Sequence, residues 1–191
     1  MASRRDWLEA GLAVLEQDGA RALTIERLCG ELGLTKGSFY HHFKGMAGFK
    51  TDLLTHFETE HTSRFVSDAE SAGASARHRL LHLLGLVLDD KSGSDAVEIA
   101  IRAWALQDPE VHALQERVDR SRIDYLRTLW RELGGPEADV EPMARLLYLV
   151  LVGAQQVVPP VPAPGLRDIY ALALRLAPHD PHEAHEWEDT P

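Results

Sequence analysis

Thr24, Gly33 and Thr35 punctuate the stretch TIERLCGELGLTKGSFYHHF, residues 24–43, and that arrangement leaves few ways to fold. Thr24 is a good helix N-cap, because its hydroxyl can accept from backbone N–H groups that a first turn leaves unpaired. A short helix running to Leu32 then carries Ile25, Leu28 and Cys29 on one face. Gly33 follows, a residue that adopts positive φ without a Cβ penalty, and Thr35 caps a second short helix reaching about Phe43. Two short helices joined by such a turn make a helix-turn-helix, whose second helix is held from behind and stays exposed. Phe39 and Phe43, four residues apart, anchor it, and Lys36, Gly37, Ser38, Tyr40 and His41 fall around its other side.

Helical spacing extends over nearly the whole chain. Trp7, Leu8, Leu12, Val14 and Leu15 define a first helix, opened by a Ser3/Asp6 capping box and stopped at Asp18-Gly19. A helix over about 45–60 places Met46, Phe49, Leu53 and Phe57 on one face, and a polar, small-residue stretch follows at 67–75. Longer helices are expected at about 76–88 and 95–106, then from Asp108-Pro109-Glu110 to Gly134-Gly135, and at 140–157 and 166–176. Pro159, Pro160, Pro162 and Pro164 break the pattern between the last two. No run alternates as a strand does. The fold class is therefore all-α, with about nine helices. Residues 1–51 form a three-helix domain, the helix at 45–60 connects, 60–177 form a second helical domain, and the Pro-rich, acidic tail 178–191 is expected to be disordered.

Charge is distributed unevenly. The 191-residue chain carries a net −10, a poor starting point for meeting polyphosphate. Yet residues 1–51 hold seven positive and six negative charges, and from Leu32 to Thr51 there are Lys36, Lys44 and Lys50 with no carboxylate. A local basic surface can thus exist on an acidic protein. The single cysteine, Cys29, excludes an internal disulfide and a thiolate zinc site, which makes a reducing cytoplasm the default. No apolar stretch follows Arg4 and Arg5, and the longest apolar run, Leu146 to Ala154, is about half of what a membrane span requires, so no membrane role is expected.

The exposed face suits DNA. Lysine supplies a point charge for phosphate or a donor for guanine, serine and tyrosine hydroxyls reach phosphate oxygens, and Gly37 lets the backbone approach a duplex. Residues 5–57 resemble the tetracycline-repressor (TetR/AcrR) family of bacterial transcription regulators. The resemblance is carried by Gly11, Thr24-Ile25, Leu28-Cys29, Gly33-Leu34-Thr35, the run Lys36 to Phe43, and Phe57. It implies that the helix from Lys36 to Phe43 reads DNA, with Thr24, Lys36, Gly37, Ser38, Tyr40 and His41 at bases or phosphates. The family usually has a phosphate-binding lysine where Met46 stands, and Lys44 is the expected substitute. Cys29 falls where the family usually has alanine and reads as a small buried residue. Arg4 and Arg5 are either an arm along phosphates or in the minor groove, or solvated charges ahead of a helix.

The second half resembles the family's effector and dimerisation domain in layout only. The helix at 140–157 is apolar nearly all round, and Ile169, Leu172 and Leu176 recur at helical spacing, so two such helices from each of two chains would form a four-helix interface. A homodimer on a double-stranded, approximately palindromic operator is implied, released by a small-molecule effector. Candidate pocket residues are His78, His82, Arg102, Trp104, Tyr125, Tyr148 and Gln155, each with an alternative place in core or surface. His78 and His82 have metal-sharing spacing but no evident third ligand; no metal or cofactor is expected. No G-x-S-x-G, P-loop or dinucleotide fingerprint occurs, so catalysis is not expected. The alternative to a DNA-binding regulator is a helix-turn-helix-derived protein-interaction module, which a flat salt response would favour.

Overall fold

The computed structural model describes residues 2–73, 75–89 and 94–176. Its α-helices are α1 (Arg4–Asp18), α2 (Ile25–Leu32), α3 (Lys36–His42), α4 (Met46–Glu58), α5 (Arg64–Ser71), α6 (Ala76–Asp89), α7 (Ser94–Ala105), α8 (Pro109–Glu132), α9 (Glu137–Gln156) and α10 (Ala163–Leu174). A 3-10 turn, Ala20–Ala22, follows α1, and a π turn, Thr59–Ser63, joins α4 to α5 without a break. Counted as rods, with α4 and α5 as one, there are nine among the described residues, the number expected. No strand occurs among the described residues. The expected tail lies outside them.

The caps do what their sequence signatures indicate. Ser3 Oγ accepts from Asp6 N at 3.2 Å while Asp6 Oδ2 accepts from Ser3 N at 2.7 Å, closing the box that starts α1. Hydrogen bonds from Ser3 hold the Asp6 carboxyl below its usual range. Thr24 Oγ1 accepts from Arg27 N at 3.1 Å, Thr35 Oγ1 from Ser38 N at 3.4 Å, and Asp108 Oδ1 from Glu110 N at 3.0 Å. Gly33 ends α2 in the left-handed region at φ 64°, which turns the chain sharply enough for α3 to begin three residues later.

Two boundaries differ from the sequence expectation. The helix that was to end near residue 60 continues to Ser71, through most of the polar stretch. Its hydroxyls are spent on the helix itself: Thr55 Oγ1 donates to Thr51 O and Thr59 Oγ1 to Thr55 O, both at 2.9 Å, and Ser71 Oγ to Ser67 O at 2.8 Å. Polar composition there marks a solvated helix rather than a loop. In the proline segment, Pro164 lies within the first turn of α10, where a missing N–H costs nothing.

The chain divides into two compact units, Met1–Arg64 with Lys91–Asp119, and Phe65–Asp90 with Arg120–Pro191. In the first, Trp7, Leu15, Leu28, Phe39, Phe49, Leu53, Phe57, Ile101 and Leu114 are fully buried in one core. A Cβ on Gly11 would lie 2.7 Å from Phe49 Cζ, so only glycine lets α1 lie this close to α4. In the second, Leu80, Leu129, Ala144, Leu147, Leu166 and Tyr170 form a separate core, and Tyr170 donates its hydroxyl to Leu147 O at 2.9 Å.

Candidate nucleic-acid interface

Helix α3 is held by one side only. Phe39, fully buried, meets Trp7 edge-on at 5.5 Å between ring centroids and packs on Phe43 at 5.2 Å and Phe49 at 5.6 Å. At the C-terminal end His42 Nε2 donates to the carbonyl of Ala2 at 3.1 Å, which ties the helix to the start of the chain. The opposite face is open. Lys36, Gly37, Tyr40 and His41 are exposed and Ser38 is half-buried; Tyr40 retains 58% of its accessible surface, its ring resting edge-on against Phe39. Thr24 and Lys44 are exposed beside this face of the sequence, and no side-chain partner of Lys44 is found among the described residues.

Gly37 separates local need from function. Its backbone is ordinary helix, and a Cβ there would meet only Thr35 Oγ1 at 3.6 Å, a normal contact. Nothing inside the chain requires glycine at this exposed helical position, although glycine costs a helix about 1 kcal/mol relative to alanine.

The cations differ in how free they are, which sequence spacing alone does not reveal. Lys36 is paired with Glu26 of α2; the contact holds the Glu26 carboxyl below, and the Lys36 ammonium above, their ordinary ranges. Lys50 does not contribute to an open basic surface. It bonds Asp108 at 2.6 Å and Glu110 at 3.0 Å and lies 5.5 Å from the Trp104 ring centroid; burial opposes its charge, but the two carboxylates outweigh it and raise its pKa. Arg4 and Arg5 occupy the first turn of α1 rather than a loose arm. Arg4 pairs with Asp52 and lies over Phe43, and Arg5 pairs with Glu9 and Glu60. Met46 packs against the first core, so the position where a lysine was expected now serves packing. Cys29 is buried in the same core.

The candidate pocket residues are distributed over both units. Arg102 and Trp104 belong to the first, where Arg102 makes a two-pronged bond to Asp119 at 3.1 and 2.9 Å. The second holds the others. His78 and His82 are exposed on α6. Tyr148 is buried and its hydroxyl accepts from Arg122 at 3.4 Å, while Gln155 is half-buried near the end of α9. Tyr125 has a buried hydroxyl whose pKa is pushed up by burial and then by Glu70. Among the described residues no group of three or more His, Cys, Asp or Glu is placed to hold a metal.

An aromatic-anchored helix behind a glycine turn, with its polar side open, can be compared with known proteins. Residues 8–49 match the model of the bacterial regulatory proteins of the tetR family. The N-terminal domain belongs to the TetR family. No curated protein matches the chain in sequence. Among solved structures, a TetR-family transcriptional regulator from Rhodococcus sp. is 20% identical with a TM-score of 0.76, covering 91% of this chain and 97% of its own. A transcriptional regulator from Saccharomonospora viridis, in complex with choline, is 18% identical with a TM-score of 0.76 over 90% and 95%. NemR of E. coli in its reduced form is 20% identical with a TM-score of 0.76 over 91% and 97%. The chain as a whole thus has the fold of TetR-type DNA-binding regulators. Among its described residues no helix is long and apolar enough to cross a membrane.

Proposed function

We propose that the chain is a dimeric transcriptional repressor that places the α3 helices of its TetR-family domains in successive major grooves of a palindromic operator and is released by a small molecule. The observation that carries the DNA-binding part is the open polar face of α3 with a glycine at its centre that local packing does not require. Thr24, Lys36, Gly37, Ser38, Tyr40, His41 and Lys44 contact DNA in this reading. Two copies related by a two-fold axis present their helices one duplex turn apart, about 34 Å. For dimerisation the support is a pair of unburied apolar stripes, Leu146, Leu149 and Gly153 on α9, and Ile169 and Leu172 on α10 with Leu176 just beyond its end. The ligand acts from the second unit, where Tyr125, Tyr148 and Gln155 are the first positions to probe; the choline complex of the S. viridis protein is the precedent for a small organic ligand on this fold. Its effect equals the difference between its affinities for the DNA-bound and DNA-free states.

The test begins with duplexes selected by the protein from random DNA. Lys36→Ala and Tyr40→Phe weaken binding to the selected duplex without changing thermal unfolding or dimerisation. Wild-type footprints from both variants would overturn the assigned face. A flat salt response of the wild type would favour the interaction-module alternative instead. Gly37→Leu separates contact from stability. The variant melts at or above the wild-type temperature, because leucine favours helix by about 1 kcal/mol over glycine, and loses binding to the selected duplex by about a hundredfold or more through the clash with DNA. Anisotropy titrations and thermal melts read the two effects.

A further inference from the structure

Lys36, at the head of the α3 face, is already engaged before any duplex arrives. Its ammonium donates to Glu26 in the first turn of α2, and both side chains stay largely open to solvent. Arg27, the cation next to Glu26 in sequence, is held by Asp18 at 3.1 Å and by Glu31 at 2.5 Å, so it does not relieve Lys36 of that partner. Since residues 32–51 contain no carboxylate, Glu26 is the acid that meets the start of the recognition helix. Glu26 adds nothing to the core, being exposed, and the α2 cap is supplied by Thr24 without it.

A phosphate oxygen and the Glu26 carboxylate need the same ammonium. We propose that Glu26 is an intramolecular competitor for the DNA-contacting Lys36, an autoinhibitory contact that lowers the chain's affinity for every duplex; this rests on the DNA-binding reading above. Binding exchanges the partners of Lys36. The exchange releases one counterion fewer than a free lysine would, because Glu26 already screens that charge, and it leaves a carboxylate uncompensated next to a polyanion. Lys44, with no such partner, marks what an unopposed lysine contributes.

The test is a double-mutant cycle on the full-length chain, with wild type, Glu26→Gln, Lys36→Ala and the double variant titrated against a labelled random-sequence duplex over a range of salt concentrations. Glutamine keeps the shape and removes the charge. Glu26→Gln is expected to bind about tenfold more tightly at low salt, with a salt slope steeper by about one ion. In the Lys36→Ala background the gain shrinks to about twofold or less, because the competition has no object. Thermal melts establish that each variant is folded, and Lys44→Ala lowers affinity equally with Glu or Gln at position 26. The proposal is overturned if Glu26→Gln binds no more tightly than wild type, or if the gain is the same with and without Lys36. Should the wild type bind no duplex in a salt-dependent way, the DNA-binding reading fails and takes this contact's role with it. Salt-dependent wild-type binding with an unchanged Glu26→Gln sinks the competitor alone.

Discussion

Replacing Leu149 and Leu172 together by glutamate is expected to convert the proposed dimer to monomers and to remove its binding to the selected duplex. Leu149 retains 62% of its accessible surface and Leu172 64%, on α9 and α10 of the same unit. Their substitution therefore leaves the chain's own cores intact, and the variant's helix content and melting should stay close to those of the isolated wild-type chain. In a two-fold interface each change occurs twice, so the assembled pair would have to desolvate four carboxylates. An unpaired buried charge costs several kcal/mol, and a thousandfold weakening of association corresponds to about 4 kcal/mol. Sedimentation over a concentration series reads the outcome, and an unchanged dimer would show that the two copies meet on another surface. Loss of operator affinity follows from dimerisation alone, since the α3 face is untouched.

Phe39→Ala has the opposite character, undoing the hold on α3 from inside. The ring is wholly buried and touches Trp7, Phe43 and Phe49, three aromatic neighbours that would line the hole left behind. Deleting a buried phenylalanine costs about 3–5 kcal/mol, a large part of the stability of a domain this size. Denaturant unfolding should show the loss, with duplex binding weakened alongside it because Phe39 is the buried side chain within α3 itself. Tyr40→Phe, one residue along but facing solvent, leaves the unfolding curve unchanged. Equal stability of the Phe39→Ala protein would mean that α3 is held by something other than its aromatic face.

What was legible in the sequence was whatever acts over three or four residues. Thr24, Thr35 and Asp108 announce their caps, Gly33 its turn, and Phe39 with Phe43 the inward face of α3, because a side chain there meets its partner within one helical turn. The apolar stripes on α9 and α10 could be read for the same reason. Ion pairs across sequence distance could not. Lys36 and Glu26 meet only once the glycine turn has folded, and Lys50 reaches Asp108 only through the packing of α4 against the start of α8. Both lysines look alike as letters, yet one lies open on the α3 face and the other is largely enclosed. The run from Ser67 to Ser71 misled in a different way, since hydroxyls that bond their own helix have the same composition as a loop.

The enclosure of Lys50 has a mechanical meaning. Its ammonium grips both Asp108 and Glu110, Thr51 adds a bond to Glu110 at 3.0 Å, and Trp104 closes over the top. The two Lys50 pairs and the Thr51 bond join the rod immediately after α3 to the head of α8, while the Trp104 ring comes from α7. Neither can slide past the other without breaking all three in concert, so α4 and the start of α8 are braced together as a bracket.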